Sequence, residues 1–277
     1  MKSPKLIIVP IDFSNDSINA LEHAIYMANK IDGDVRMINV RKAKTQDIPS
    51  YFKDFNLVFG NTVEGYFEII FEKYKDRVKG RFDYKVRDGK VYQEIINQAK
   101  YDDAYMIVMG THGLSGFEEF WIGSNAYKVV SNAPCPVITI RNGFLRTGLS
   151  KIILPIDMSS ESRKKVPVVA DLALMFDAEI HTIAVRETNA QDIVDKLELY
   201  TTQVCEYFTN KKVRCHTESL YGDNITNITI EYAKGVDADL IAIMTEQDED
   251  MYNLWLGAYA QQMVNHSPIP VLSVRAI

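Results

Sequence analysis

Short apolar runs, rich in β-branched residues, alternate with amphipathic stretches along the whole chain. Near the start, residues 6–11 and 35–40 form continuous apolar or mixed runs of strand length. Between these runs, apolar residues recur at the three- and four-residue spacing of one helix face: Ile18, Leu21, Ile25 and Ala28. Ser14 stands just before this stripe, where a helix N-cap belongs. The pattern predicts a strand, a capped helix and a second strand.

The same alternation continues to the end of the chain. It predicts further strands near 82–86, 105–109 and 137–140, with helices near 61–79, 90–101 and 124–131. The second half predicts strands near 151–156, 180–185, 213–218, 239–244 and 270–275. The order βαβαβαβαβ is typical of a parallel sheet with helices on both faces and right-handed crossovers. In such sheets ligands bind at the carboxyl ends of the strands, where the strand order reverses.

The chain contains an internal repeat. Residues 7–17 read IIVPIDFSNDS and residues 152–162 read IILPIDMSSES, so 7 of 11 positions are identical at an offset of 145. Residues 107–141 align with residues 241–275 at an offset of 134, so the second copy is shorter by 145 − 134 = 11 residues. The polar, glycine-bearing stretch 142–150 joins the copies. We therefore expect two domains, residues 1–145 and 146–277.

A glycine-rich loop follows the fourth predicted strand of the first copy. Its glycines are Gly110, Gly113, Gly116 and Gly123, and Ser124 opens the next helix. Glycines at such a place let backbone N–H groups approach a phosphate and adopt positive φ, and a helix N-terminus favours an anion. Asp12, after the first strand, lies at the same edge of the sheet and is a candidate for a ribose hydroxyl or a metal ion.

These residues resemble the universal stress protein family. Gly110-x2-Gly113-x9-Gly123-Ser124 reproduces the ATP-binding pattern of that family, and the segments VPIDFS, MGTHGLSG and APCPV are similar to it too. The resemblance covers both copies. It implies two tandem doubly wound five-stranded parallel-sheet α/β domains, Rossmann-like and of the adenine nucleotide alpha hydrolase-like type.

The resemblance also implies a nucleotide site in the first copy. The family positions that surround adenine and ribose match Pro10, Asp12 and Val40, with the Val40 main chain reading the base. Those that hold ribose and phosphates are Met109, Gly110, Gly113, Gly123, Ser124 and Asn125. Asn125 departs from the small β-branched residue usual there, but a position that donates a backbone N–H tolerates the change. The implied ligand is ATP, with Mg²⁺ as its companion. The competing interpretation, in which the glycines only shape a long turn, is the less favoured one.

The second copy acts as an internal control. Gly110, Gly113, Gly116 and Ser124 are replaced by Met244, Gln247, Asp250 and Ala258, and only Gly257 remains. The loop carries Glu246, Asp248, Glu249 and Asp250. At about 10 Å and an effective dielectric constant of about 20, each carboxylate would repel a phosphate by roughly 1–2 kcal/mol before salt screening. We expect no triphosphate here, and a solvated loop rather than a cation site.

Composition and charge exclude several classes of protein. The net charge of −6 argues against a general nucleic-acid or anionic-membrane surface. The opening apolar run, broken at Pro10 and Asp12, is too short for a signal-peptide core, so we expect a cytoplasmic location. Cys135, Cys205 and Cys215 form no CxxC pair and predict no disulfide framework. The five scattered histidines match no zinc motif.

Three single features are assigned to structure rather than to function. Cys135 corresponds to Ile269 of the second copy, so it is interpreted as a packing residue without a redox role. His112, in the glycine loop, is interpreted as an exposed loop residue rather than a phosphate ligand. Two aromatic-rich faces in residues 42–80 are assigned to helix packing rather than to a lid: Tyr51, Phe52, Phe55 and Phe59, and Val63, Phe67, Ile70 and Tyr74.

Two functions from different classes follow. The favoured one is an ATP-binding stress-response or signalling protein, which is not an enzyme, although weak ATP hydrolysis stays open. The alternative is a scaffold of the same fold that binds no nucleotide. Segments 137–141 and 271–275 are expected to pair within one chain as a pseudo-dimer, and a further homodimer is open.

Overall fold

The computed structural model describes residues 5–41, 62–111, 122–245 and 257–275. The chain divides into two compact units, Met1–Thr147 and Gly148–Ile277. The bounds 1–145 and 146–277 stay a prediction of the sequence. Among the described residues no helix has both the length and the apolar character needed to cross a bilayer.

The first unit is a five-stranded parallel sheet with four helices among its described residues. In chain order the elements are β1 (Leu6–Pro10), α1 (Asn15–Lys30), β2 (Asp34–Arg41), α2 (Val63–Tyr74), β3 (Phe82–Asp88), α3 (Val91–Tyr101), β4 (Met106–Gly110), α4 (Ser124–Asn132) and β5 (Val137–Ile140). The strand order is β3-β2-β1-β4-β5 and every pair is parallel. The order reverses between β1 and β4, as the sequence predicts.

The second unit repeats this topology. Its elements are β6 (Lys151–Ile156), α5 (Val166–Phe176), β7 (Glu179–Arg186), α6 (Gln191–Asn210), β8 (Cys215–Tyr221), α7 (Ile225–Gly235), β9 (Leu240–Thr245), α8 (Ala258–His266) and β10 (Val271–Arg275). The strand order is β10-β9-β6-β7-β8, again parallel. The predicted fold class, two doubly wound α/β domains with five strands each, is confirmed.

Helix α1 forms for the reasons visible in the sequence. Ser14 has extended backbone angles, and its side chain accepts a hydrogen bond from the Ser17 amide at 3.2 Å. The predicted apolar stripe is fully inside, with exposed fractions between 0% and 5%: Ile18, Leu21, Ile25 and Ala28. Burial of this stripe against the sheet fixes where the N-terminus of α1 points, which is the edge where β1 ends.

Helix α2 is shorter than predicted. The pattern indicates a helix over 61–79, but α2 ends at Tyr74 and a 3₁₀ turn follows over Lys75–Arg77. Asn29 explains the ending, because its side chain donates to the Arg77 carbonyl at 2.7 Å and accepts from the Lys79 amide at 2.8 Å. The helix-packing interpretation is confirmed for three residues with no exposed surface: Phe67, Ile70 and Tyr74. The other predicted face, Tyr51, Phe52, Phe55 and Phe59, lies outside the described residues.

The expectation of no disulfide is wrong. Cys205, on α6, and Cys215, the first residue of β8, are joined by a disulfide with a Cα–Cα distance of 5.5 Å. The chain reverses between them through Lys212, whose φ is +63°, and the Val213 amide bonds the Phe208 carbonyl at 2.9 Å. Motif spacing could not reveal this pair, because the reversal is a property of the α6–β8 connection.

Candidate functional site

The reversal of strand order in the first unit creates an edge where loops and helix N-termini meet. Strand β1 ends at Pro10 and the neighbouring β4 ends at Gly110. Helix α1 begins after β1, and α4 begins at Ser124 after the loop that follows β4. In open parallel sheets this is the place where ligands bind. We call this place the carboxyl edge.

Asp12 closes the turn between β1 and α1. Its Oδ1 accepts from the Ser14 amide at 3.1 Å and from the Ser14 hydroxyl at 2.6 Å. In the second unit Asp157 Oδ1 accepts from the Ser159 amide at 2.7 Å and from its hydroxyl at 2.5 Å. The same aspartate-based turn therefore exists in both units, so the retention of an aspartate in the second copy has a structural cause.

Phe13 adds backbone strain beside Asp12. Its φ is +65°, a left-handed conformation that an aromatic residue rarely adopts. The ring packs against Tyr66 and Phe67 of α2 at centroid distances of 5.3 and 5.2 Å. The corresponding Met158 is not among the residues with positive φ. Strain of this kind clusters at functional sites, and here it occurs in the first unit at the carboxyl edge.

Asn39 is a residue that the sequence analysis missed. Its side-chain amide donates to the Ile11 carbonyl at 2.7 Å, and the Ile11 amide donates to the Ile38 carbonyl at 2.8 Å. These bonds fasten the loop after β1 to β2, directly before the partly buried Val40. The second copy has Ala184 at this position and lacks the side-chain tie. An asparagine inside an apolar strand was the available signal.

Gly110 has a packing role that was not expected. It is not among the residues with positive φ, so the left-handed backbone that a glycine permits is not used there. A Cβ added to Gly110 would lie 3.0 Å from the Asp16 Cβ and 3.1 Å from the Asp16 carbonyl oxygen. Gly110 therefore permits close contact between the end of β4 and the first turn of α1.

Gly123 directly precedes α4 and has backbone angles that any residue can adopt. Its φ is −58°, so a left-handed backbone is not used here either, and its amide donates to the Thr111 carbonyl at 2.8 Å. No side chain of the described residues caps α4. Ser124 is exposed and Asn125 partly buried, in the first turn of that helix. The first turn of α4 thus presents its backbone and the Ser124 hydroxyl at the carboxyl edge.

The structure brings most of the predicted nucleotide-site residues to the carboxyl edge of the first unit. They are Pro10 and Asp12 after β1, Val40 near the end of β2, Met109 and Gly110 at the end of β4, and Gly123, Ser124 and Asn125 at the start of α4. Gly113, Gly116 and His112 lie outside the described residues. Their roles stay predictions.

The corresponding edge of the second unit is built differently. Met244 replaces Gly110 and is buried, with 6% of its surface exposed. Lys165, at the position of Ala20, is 2% exposed and donates from Nζ to the carbonyls of Pro155, at 2.7 Å, and Ser162. Burial lowers the pKa of Lys165 to about 7, although Asp157 raises it in part. The acidic residues 246–250 lie outside the described residues.

The environment of Cys135 makes its thiol unreactive. It lies between Pro134 and Pro136 and is partly buried. Burial, with a smaller contribution from Asp103, raises the pKa of its thiol to about 12. Because the thiolate is the reactive form, the packing interpretation fits this environment.

A second cluster of chemistry-bearing side chains lies at the amino ends of β7 and β8. Glu179, His181 and His216 place one ligand-type atom each within 4.8 Å of the others. His181 and His216 are directly paired in the register of the two strands. Motif spacing indicated no zinc site because these histidines are 35 residues apart in sequence (216 − 181 = 35) and meet only through strand pairing.

Two groups of this cluster have shifted pKa values. Burial raises the pKa of Glu179, but the hydrogen bond and charge of Lys151 outweigh it, and the net shift is downward. Burial lowers the pKa of His181, and the nearby Glu179 offsets only part of that shift. At neutral pH the cluster therefore contains an ionised carboxylate and a neutral, buried imidazole.

Comparison with known proteins assigns the family. The profile described as the universal stress protein family matches residues 4–141 and again residues 148–275. A universal stress protein of Methanocaldococcus jannaschii is 31% identical over 151 residues, which are 50% of this chain and 82% of the relative. One of Bacillus subtilis is 29% identical over 147 residues, 49% of this chain and 97% of that protein.

The fold of the whole chain also has a solved counterpart. A universal stress protein from Archaeoglobus fulgidus matches with a TM-score of 0.77 and 18% identity, over 98% of each chain. The two units are thus doubly wound α/β domains of one type, present in tandem. The chain belongs to the universal stress protein family.

Proposed function

We propose that this protein is a nucleotide-dependent stress-response or signalling protein in which the first unit binds one ATP and the second binds none. The observation that carries the proposal is the asymmetry between two units of the same fold. At the carboxyl edge, the first unit has Gly110 and Ser124 where the second has Met244 and Ala258. The proposed location is the cytoplasm.

In the proposed complex different residues at the carboxyl edge contact different parts of the nucleotide. The loop after β1, with Pro10 and Asp12, and the main chain of Val40 take the adenine and ribose. Ser124 and Asn125 offer backbone N–H groups and a hydroxyl to the phosphates, where the α4 dipole favours negative charge. Gly123, whose amide donates to the Thr111 carbonyl, leaves this approach free of a side chain. Met109, Gly110 and Gly113 complete the phosphate side, and Mg²⁺ accompanies the phosphates.

In the first unit the loop after β1 is held in place by two contacts at this edge. The Asn39 bond to the Ile11 carbonyl holds the loop after β1 at 2.7 Å. The left-handed Phe13 of the same loop packs on Tyr66 and Phe67 of α2. A loop that is already ordered loses less conformational entropy when a ligand binds, and this supports affinity in the first unit.

The second unit is proposed to be silent because three features oppose a triphosphate. A buried Met244 side chain stands at the strand end. Ala258 supplies no hydroxyl at the start of α8, and the preceding loop carries four carboxylates. Each carboxylate adds repulsion of roughly 1–2 kcal/mol at about 10 Å.

ATP is proposed as a bound regulator rather than a substrate. Neither a general base nor an arginine finger is identifiable in the sequence. Bound and free forms would then differ in the surface or dynamics of the carboxyl edge. Steady phosphate release at a rate that depends on the first unit would contradict this part of the proposal. A further homodimer is tested by the mass of the protein in solution. Pairing of segments 137–141 and 271–275 within one chain stays part of the proposal.

A scaffold without nucleotide is the second candidate, and one observation favours it. Gly110 is needed for contact with Asp16, and Asp12 is needed for the turn with Ser14. Both residues therefore have structural reasons to be present. The scaffold does not account for the strained Phe13 or for the Asn39 tie, which are confined to the unit with the glycine pattern.

The first experiment is to identify what the purified protein carries. Protein prepared without added nucleotide is denatured, and the released small molecules are separated and identified by mass. Adenine nucleotide at up to one equivalent per chain supports the proposal. If none is released and ATP added at millimolar concentration does not bind, the scaffold is the better account.

A further inference from the structure

We propose that Glu179, His181 and His216 form a three-ligand site for a divalent transition metal ion, with Zn²⁺ as the ion that fits best. This site lies at the amino ends of β7 and β8, whereas the proposed nucleotide edge lies at carboxyl ends in the other unit. The proposal is therefore independent of ATP binding.

The distances between the ligand atoms suit one small ion. His181 Nε2 lies 3.5 Å from Glu179 Oε1, and His216 Nε2 lies 3.7 Å from Glu179 Oε2. Ligands at about 2.1 Å from a tetrahedral Zn²⁺ are about 3.4 Å apart. The three ligand atoms lie within 4.8 Å of one another. Side-chain shifts of about 1 Å would therefore bring them to a common ion. Two imidazoles with one carboxylate, plus an open position for water, form a ligand set that Zn²⁺ takes in proteins.

His181 is oriented as a metal ligand. Its Nδ1 lies 2.8 Å from the Tyr232 hydroxyl, so the other ring nitrogen is turned toward Glu179. That nitrogen, Nε2, is buried, and it lies 3.5 Å from Glu179 Oε1 without a hydrogen bond to any described residue. Only 9% of the residue is exposed. A histidine that ligates a metal commonly donates a hydrogen bond from its other ring N–H to an oxygen atom, which fixes the ring. An ion would satisfy the unpartnered atom.

The first unit shows what this place looks like without a metal site. The positions of Glu179, His181 and His216 are taken by Asp34, Arg36 and Asp83. Arg36 forms a two-bond salt bridge with Asp83, with both bonds at 2.7 Å, and its third nitrogen bonds Asp102 at 2.7 Å. The first unit therefore fills this place with a closed ion pair, while the second has two imidazoles and a carboxylate.

Two cations beside Glu179 compete with a metal ion. Lys151 Nζ lies 3.2 Å from Glu179 Oε1, and the Arg214 guanidinium lies 3.8 Å from Oε2. Each has another partner, because Lys151 also donates to the Val236 carbonyl at 2.8 Å and Arg214 to the Asp177 carbonyl at 3.3 Å. Both can therefore release Glu179 without becoming isolated. Their charges lower the affinity, so Lys151→Met is expected to tighten Zn²⁺ binding about tenfold or more.

The test is calorimetric titration of the full chain with Zn²⁺ after treatment with a chelator and without thiol reductant, so that the disulfide stays closed. We expect one equivalent per chain, and Co²⁺ in its place should give the visible absorption of a tetrahedral ion. His181→Gln and His216→Gln should each weaken binding by at least a hundredfold. Tyr232→Phe should weaken it about ten- to hundredfold, through loss of ring orientation.

A variant that carries the residues of the first unit at these positions distinguishes loss of the metal site from unfolding of the protein. His181→Arg with His216→Asp installs the charge pair of the first unit, and should abolish the Zn²⁺ equivalent in a protein that still melts cooperatively. The exposed His266→Gln variant and a Cys205→Ser, Cys215→Ser variant should both retain the equivalent. Absence of any equivalent in the unaltered chain overturns the proposal. So does an equivalent that survives the swap or disappears with the cysteines.

Discussion

Gly110 and Asp16 lie in such close contact that a Cβ on Gly110 would come within 3.0 Å of the Asp16 Cβ. The contact joins the end of β4 to the first turn of α1. A glycine of the nucleotide pattern is thus also a packing residue. Its substitution tests stability and binding together, so Gly110 alone cannot separate the two roles.

A comparison of Gly110→Ala with Gly123→Ala separates the packing role of these glycines from their proposed role in nucleotide binding. Gly110→Ala should lower the free energy of unfolding by about 1–3 kcal/mol, because backbone atoms of Asp16 must shift. Gly123→Ala has a φ of −58° and one contact, at 3.2 Å from the Thr111 carbonyl oxygen, so its cost in stability should be about 0.5–1 kcal/mol. Denaturant unfolding of both variants measures the difference. Equal destabilisation would show that the close contact with Asp16 is not limiting.

Asp12→Ala and Asp157→Ala should destabilise the chain by similar amounts. Each removes the acceptor of two hydrogen bonds in a tight turn, worth about 1–2 kcal/mol. Only Asp12→Ala should also weaken ATP binding, by about tenfold or somewhat more. Melting curves and ATP titrations of the two variants provide the comparison. Equal loss of ATP affinity in both would refute the asymmetry between the units.

Lys165 should make the stability depend on pH in the alkaline range. Its folded-state pKa is about 7, well below 10.5, so between these values the unfolded chain holds a proton that the folded chain lacks. The free energy of unfolding therefore rises with pH across this window, by up to about 1.4 kcal/mol per pH unit from this group. Lys165→Met should make the free energy of unfolding increase less with pH. Denaturant unfolding at several pH values between 7 and 10 measures this dependence. The same slope in the variant as in the unaltered protein would contradict the lowered pKa of Lys165.

The Cys205–Cys215 disulfide should contribute measurably to stability. It closes a short loop with a sequence separation of 10, for which the chain-entropy account gives about 3 kcal/mol. A Cys205→Ser, Cys215→Ser variant, or reduction with a thiol, should lower the free energy of unfolding by up to that amount. Cys135→Ser is the matched control, since Cys135 is free. The prediction fails if reduction leaves the unfolding transition unchanged.

The sequence predicts elements well where local signals and burial agree. Ser14 and the stripe from Ile18 to Ala28 specify α1 because the cap and the buried face act within one helix. The end of α2 was not predictable in this way, since Asn29 sets it from another element. The reversal of strand order was also predictable, because both copies show the alternation of strands and helices that is typical of a doubly wound sheet.

The features that the sequence did not predict are contacts between residues of different secondary-structure elements. His181 meets His216 only because β7 and β8 pair in that register. Cys205 meets Cys215 through a turn with a left-handed Lys212. The close contact of Gly110 with Asp16 depends on how α1 packs on β4. Each relationship is tertiary, and composition or spacing along the chain carries no signal for it.

The most direct test of the central claim is a calorimetric titration of nucleotide-free protein with ATP in the presence of Mg²⁺. We predict one site per chain, unaffected by Asp157→Ala in the second unit and lost or strongly weakened by Gly123→Val, whose branched side chain occupies the start of α4. Melting curves of the variants confirm that they are folded. Two equivalent sites per chain, or no site at all, would contradict the account.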